Sequence, residues 1–115
     1  MILFLLLYPL FAYAAARNFN FSRETGLTAS VLAMLLFHLS LAIDFVSWGM
    51  LSFVFMCYFS LYVFSLFYKL LEAFTLRRYA VLAFLASLLL LMHILSPVHL
   101  FIPVLVLYAL HFRRL

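Results

Sequence analysis

"SLAIDFVSWGML", Ser40 to Leu51, interrupts an almost unbroken apolar run that extends from Leu27 to Leu71. A helix needs ~20 apolar residues to cross hydrocarbon, so this run is about twice too long for one crossing and must turn. Only residues 44–49 bring a charge, a serine, a tryptophan and a glycine together. Tryptophan is the residue type expected at headgroup level. The run is therefore expected to form two helices, over residues 27–46 and 50–70. At 1.5 Å rise per residue, Asp44 falls ~26 Å from Leu27, near the far edge of a ~30 Å core. Asp44 is accordingly read as a solvated or turn-capping acid. The competing reading makes it a functional acid facing a water-filled cavity.

Composition agrees with a membrane setting. The chain has 115 residues, 71% hydrophobic and 9% charged, with a mean hydropathy of +1.32. A soluble domain carries about 25% charged residues, and this chain lacks the polar surface to cover a globule. No polar stretch is long enough to enclose an extramembrane core, which excludes a soluble enzyme. The net charge of +4 comes from scattered arginines and not from one basic face, which argues against nucleic acid as a partner. Cys57 is the single cysteine, so an internal disulfide and a cysteine metal cluster are both excluded. Within "FMCYF" its thiol is expected to pack as a small hydrophobe.

The fold expected is an all-α integral membrane protein with about five short transmembrane helices in a single domain. The first, residues 2–16, contains Pro9, a residue that kinks or tilts a helix. Its small residues near Ala14 suit a signal-peptide cleavage site, but no positively charged region precedes them, so it is read as a span. Residues 17–26 form a polar loop in which Ser22 is placed to cap the next helix. A second polar connection carries Lys69, Glu72, Arg77 and Arg78. A fourth helix over 79–95 ends at Ser96–Pro97. A fifth over 98–112, with Pro103 near its start, closes the fold; a four-span alternative lays this last segment in the interface.

Charge orients the bundle. With the amino terminus outside, Arg17, Arg23, Lys69, Arg77, Arg78, Arg113 and Arg114 all fall on the cytoplasmic or matrix side, as does the carboxyl terminus. The turns near Asp44–Gly49 and Ser96–Pro97 carry no lysine or arginine. The sequon Asn20–Phe21–Ser22 then lies on the wrong side for glycosylation and is read as a chance match.

Few residues promise chemistry. A haem held between two helices needs two imidazoles at similar depth. His38 is eleven residues beyond Leu27 and His93 fourteen beyond Tyr79 on a helix running the same way, a depth difference of ~5 Å. His38 and His93 are thus the haem b ligand candidates. The plainer reading is that His38, on one face with Ser30, Met34 and Ala42, hydrogen-bonds a neighbouring helix. His99 and His111 fall near expected interfaces, where water satisfies them. "SRETGLTASVLAMLLFHL" is similar to one feature of the membrane-anchor cytochrome b subunits of succinate dehydrogenase, which begin a long helix with a serine, an arginine and a Thr-Gly pair and carry a histidine further on. The matching residues are Ser22, Arg23, Thr25, Gly26 and His38, under a fifth of the chain. The family's histidine before that arginine and its later histidine-to-aspartate-tyrosine segment are absent, so the family is not assigned.

Other features favour packing. Hydroxyls at Ser52, Tyr58, Ser60, Tyr62, Ser65 and Tyr68 do not share one narrow face, and neither broken mid-helix glycines nor an internal repeat supports transport. Ala29-xxx-Ala33 and Ala83-xxx-Ser87 allow close helix approach. Arg77, Arg78, Arg113 and Arg114 are candidate contacts for lipid headgroups. The function expected is that of a small, non-catalytic accessory subunit of a larger membrane complex of bioenergetic, respiratory type. It would work by packing in a bacterial or mitochondrial inner membrane, with other membrane subunits and phospholipids as partners and no cofactor. The alternatives are a b-type cytochrome or quinone-site anchor using His38 and His93, and a small transporter or channel component.

Overall fold

The computed structural model describes residues 2–37, 51–92 and 96–113. Among these the chain is all-α, with five helices and no strand: α1 (Ile2–Asn18), α2 (Arg23–Phe37), α3 (Leu51–Glu72), α4 (Leu76–Met92) and α5 (Ser96–Phe112).

The described helices fall on the five apolar segments, and α2, α4 and α5 begin earlier than hydropathy alone indicates. α2 opens at Arg23 because Ser22 occupies its N-cap. The Thr25 amide donates to Ser22 Oγ (3.2 Å), and the two hydroxyls lie 2.9 Å apart. α4 opens at Leu76 and not near Tyr79 for the same reason, with the Arg78 amide donating to Thr75 Oγ1 (3.2 Å). A capping oxygen satisfies one of the amides that a helix start leaves unpaired, so the backbone begins to coil before the apolar face does. α1 runs through Pro9 and closes in a Schellman arrangement. The Phe21 amide donates to the Ala16 carbonyl (3.1 Å) and the Asn20 amide to that of Arg17 (3.1 Å). Asn20 takes the left-handed conformation this closure requires, with φ 64°, a position that asparagine fills second to glycine.

α3 is the hub, packing against α1, α4 and α5, while α2 touches α1 alone among the described helices. α1 and α3 run parallel, joined by aromatic rings in matching order: Tyr8 with Tyr58, Phe11 with Phe55, Phe59 and Tyr62, and Phe19 with Phe64 and Tyr68. α3 also buries Met56, Phe59 and Val63 in one cluster with Leu89 of α4. The α1–α2 seam is built differently. A Cβ added at Gly26 would sit 3.0 Å from the Tyr13 ring, and Ala33 packs with Ala12 and Tyr8. Ser30 Oγ donates to the Pro9 carbonyl across that seam (3.0 Å). Of the two small-residue pairs read from sequence, Ala29-xxx-Ala33 lies at this seam, whereas Ala83 and Ser87 are exposed and bonded only to each other, hydroxyl to carbonyl.

The apolar surface is distributed inside out. Nine hydrophobic side chains are buried among the described residues, against twenty-six large ones exposed, so most of the greasy surface faces outward. One described segment, Phe53–Glu72, is long and apolar enough to cross a membrane; Leu100–Phe112 is a shorter apolar helix. α1, α2, α4 and α5 have 15 to 17 residues in their described lengths.

Candidate functional site

Polar chemistry gathers at one end, where α1 and α3 finish and α2 and α4 begin. Arg17, Arg23, Lys69, Arg77 and Arg78 meet there with Glu24 and Glu72, five cations against two carboxylates, for a net charge of +3. The connections are specific. Asn20, held by its left-handed turn, accepts at Oδ1 from Lys69 Nζ and donates from Nδ2 to Glu72 Oε1 (2.5 Å). Lys69 also pairs with Glu72 Oε2 (2.8 Å). Glu72 lies past the last apolar residue of α3, and its carboxyl is held below the ordinary carboxylate range by the hydrogen bond from Lys69 first, with Tyr68 and Asn20 adding to it. Arg78 Nη1 donates to the carbonyls of Ala73 (2.9 Å) and Lys69 (3.3 Å), supplying donors for the exposed end of α3. Arg17 Nη1 donates to the Phe21 carbonyl in the α1–α2 turn (2.8 Å).

One turn deeper, Asn18 Nδ2 donates to Ser65 Oγ (2.9 Å), and Ser65 donates to the Tyr62 carbonyl (2.6 Å). Ser65 is fully buried. This pair fixes the depth of α1 against α3 with a polar bond inside an apolar seam, where an unmade bond is costly. Beside it opens a cleft of about 540 Å³ lined by Asn18, Leu66, Lys69, Thr75, Arg77, Arg78 and Val81. Its lining joins three cations to the apolar side chains of Leu66 and Val81. Arg77 makes no hydrogen bond or ion pair among the described residues, unlike Lys69 and Arg78.

The residues singled out from sequence separate into three groups. Arg77 and Arg78 stand together on this cleft, both exposed. Arg113 is exposed at the end of α5, where its amide continues to Ala109 (3.2 Å). Asp44, His38, His93 and Arg114 lie outside the described residues, as does the Asp44–Gly49 turn. Cys57 is a free, half-buried thiol on α3. Asn18, Asn20 and Thr75 were not singled out as site residues by sequence. For Asn20 a usable signal existed, since an asparagine just past an apolar helical run marks an αL stop. Compared with protein-family models, with curated proteins and with solved structures, the chain matches none of them.

Proposed function

We propose that the chain is a small, non-catalytic accessory subunit of a multi-subunit membrane complex of bioenergetic type. In this reading it crosses a bacterial or mitochondrial inner membrane five times, with its cationic end on the cytoplasmic or matrix side. The observation that carries the reading is the pairing of an apolar exterior with the gathering of five described cations at one end. Leu35 and Leu36 of α2, Phe84 and Leu91 of α4, and Phe101 and Ile102 of α5 all face outward. Water would not tolerate so much exposed hydrocarbon, whereas lipid or a partner's helices would. Arg17, Arg23, Lys69, Arg77 and Arg78 on one face follow the preference of positive charge for the inner side. A 17-residue helix is only ~25 Å long at 1.5 Å per residue, so the bilayer around α1, α4 and α5 would thin locally or the polar ends would snorkel. The chain works by packing: its outward faces fill space between neighbouring subunits, and Arg77, Arg78, Arg113 and Arg114 contact lipid headgroups.

The test is purification in mild detergent followed by identification of what co-migrates. Stable membrane partners at fixed ratio are expected, and a companionless, stable monomer would refute the subunit reading. Sidedness has its own check in a Cys57→Ala background carrying single cysteines at Ser47 or Thr75. A membrane-impermeant thiol reagent is expected to reach them from opposite compartments. Labelling of both from the same side would remove the five-span arrangement.

A further inference from the structure

Three cations, a helix start and an apolar wall converge on the cleft between the ends of α3 and α4. Thr75 caps α4 through the Arg78 amide, and the Tyr79 amide donates to the Thr75 carbonyl (3.0 Å). The two preceding amides, of Leu76 and Arg77, have no acceptor among the described residues. A helix start with free amides attracts an anion through both its N–H groups and its dipole. Here that tendency is joined by a cavity and by side-chain charge. Arg78 and Lys69 are committed to the end of α3, to Asn20 and to Glu72, so they supply a fixed positive field. Arg77 is the one cation lining the cleft with every donor unused among the described residues. A guanidinium suits two oxygens of one phosphorus, which it meets with parallel N–H bonds. On the same lining, Leu66 and Val81 offer hydrocarbon and no side-chain donor.

We propose that this cleft is a built site for a single phosphate group, with Arg77 as its principal ligand and Lys69, Thr75, Arg78 and Asn18 around it. The cations would take the phosphate oxygens, and Leu66 and Val81 would meet whatever apolar portion the ligand carries. Two sources present that chemistry: the phosphodiester of an anionic phospholipid and free inorganic phosphate. The apolar wall favours the lipid. The inference rests on the membrane reading and deepens it, because it gives headgroup contact a defined seat and not a diffuse attraction to many arginines.

Native mass spectrometry of the full chain, with its companions if they co-purify, tests the site in an uncharged detergent supplemented with phosphatidylglycerol, phosphatidylcholine or sodium phosphate. Wild type is expected to retain phosphatidylglycerol over phosphatidylcholine. Arg77→Gln is expected to weaken that retention about tenfold, while Arg23→Gln, which removes an equal charge at the same end outside the cleft, changes it less than twofold. Equal losses in the two variants would mean a diffuse surface field and would overturn the site, as would no loss in either. Phosphate that displaces the lipid at millimolar concentration, in an Arg77-dependent way, identifies the soluble anion as a second occupant. Lipid that resists it identifies the headgroup, and both results uphold the site. A chain that stays with its membrane companions but shows no Arg77-dependent lipid loses this site alone. A chain that binds phosphatidylglycerol through Arg77 yet has no companions loses only the subunit reading.

Discussion

On one side of α1, the rings of Phe55, Phe59 and Tyr62 close around Phe11. On the other, Gly26 and Ala33 let α2 approach the α1 backbone, and Ser30 reaches the Pro9 carbonyl. The first seam gains from many dispersion contacts between large, rigid side chains. The second has few atoms to touch and depends on proximity and one hydrogen bond, the means by which helices associate where no hydrophobic force separates them from solvent. The contrast teaches that a single helix can be fixed on two faces by different physics, and that the two faces fail differently.

The largest effect is expected at the aromatic seam. Phe11→Ala removes a ring in contact with three others and should cost about 3 kcal/mol of stability, measured by reversible SDS titration of the purified chain in mixed micelles. A loss below about 1 kcal/mol would mean that the seam does not depend on Phe11. The small-residue seam should yield next. Gly26→Leu must displace the Tyr13 ring and should cost about 1–3 kcal/mol. Gly26→Ala should change little, because up to ~1 kcal/mol of helix propensity offsets the crowding. If leucine proves as harmless as alanine at position 26, α2 does not approach α1 as closely as described. Ser30→Ala should cost about 0.6 kcal/mol, the usual worth of an interhelical bond in a membrane, in the same assay. A loss above about 2 kcal/mol would make the serine the main bond of the seam.

The smallest effect belongs to the polar end. The Glu72 carboxyl is held below its ordinary range, so its contribution is complete above the unfolded value of about 4.3 and is lost as pH falls through the lower folded value. Acid titration of the wild type should therefore show a slight loss of stability below about pH 4 that Glu72→Gln lacks. Because Glu72 is exposed, solvent screens the pair and keeps the effect small. Identical acid profiles for the two proteins would show that the Lys69–Glu72–Asn20 cluster is decorative.

Much of the fold could be read from hydropathy and capping chemistry. Among the described residues, five helices fall on the five apolar segments, and Ser22 caps α2 as its hydroxyl and position implied. Helix starts were less legible, because Arg23–Gly26 and Leu76–Arg78 are polar or mixed yet already coiled. The choice of α3 as hub was not legible at all. Its seventeen apolar positions point in every direction, and nothing local says which will meet a partner. The candidate site was half legible: Arg77 and Arg78 announce themselves as charges beside an apolar run. Their company does not, since Asn20 lies 49 residues from Lys69 and 52 from Glu72, and Asn18 lies 47 from Ser65. Side-chain bonds across such separations follow from helix order, which periodicity does not encode.

That α2 rests on α1 alone among the described helices has a bearing on biosynthesis. Both partners of this pair emerge from the ribosome before α3 does, so the hairpin can settle without waiting for the rest of the chain. α1 then presents its ring-bearing flank, Tyr8, Phe11 and Phe19, to the helix that arrives later. A nascent chain stalled with its first 50 residues clear of the ribosome is expected to hold its first two helices together already, cross-linkable between positions 13 and 26.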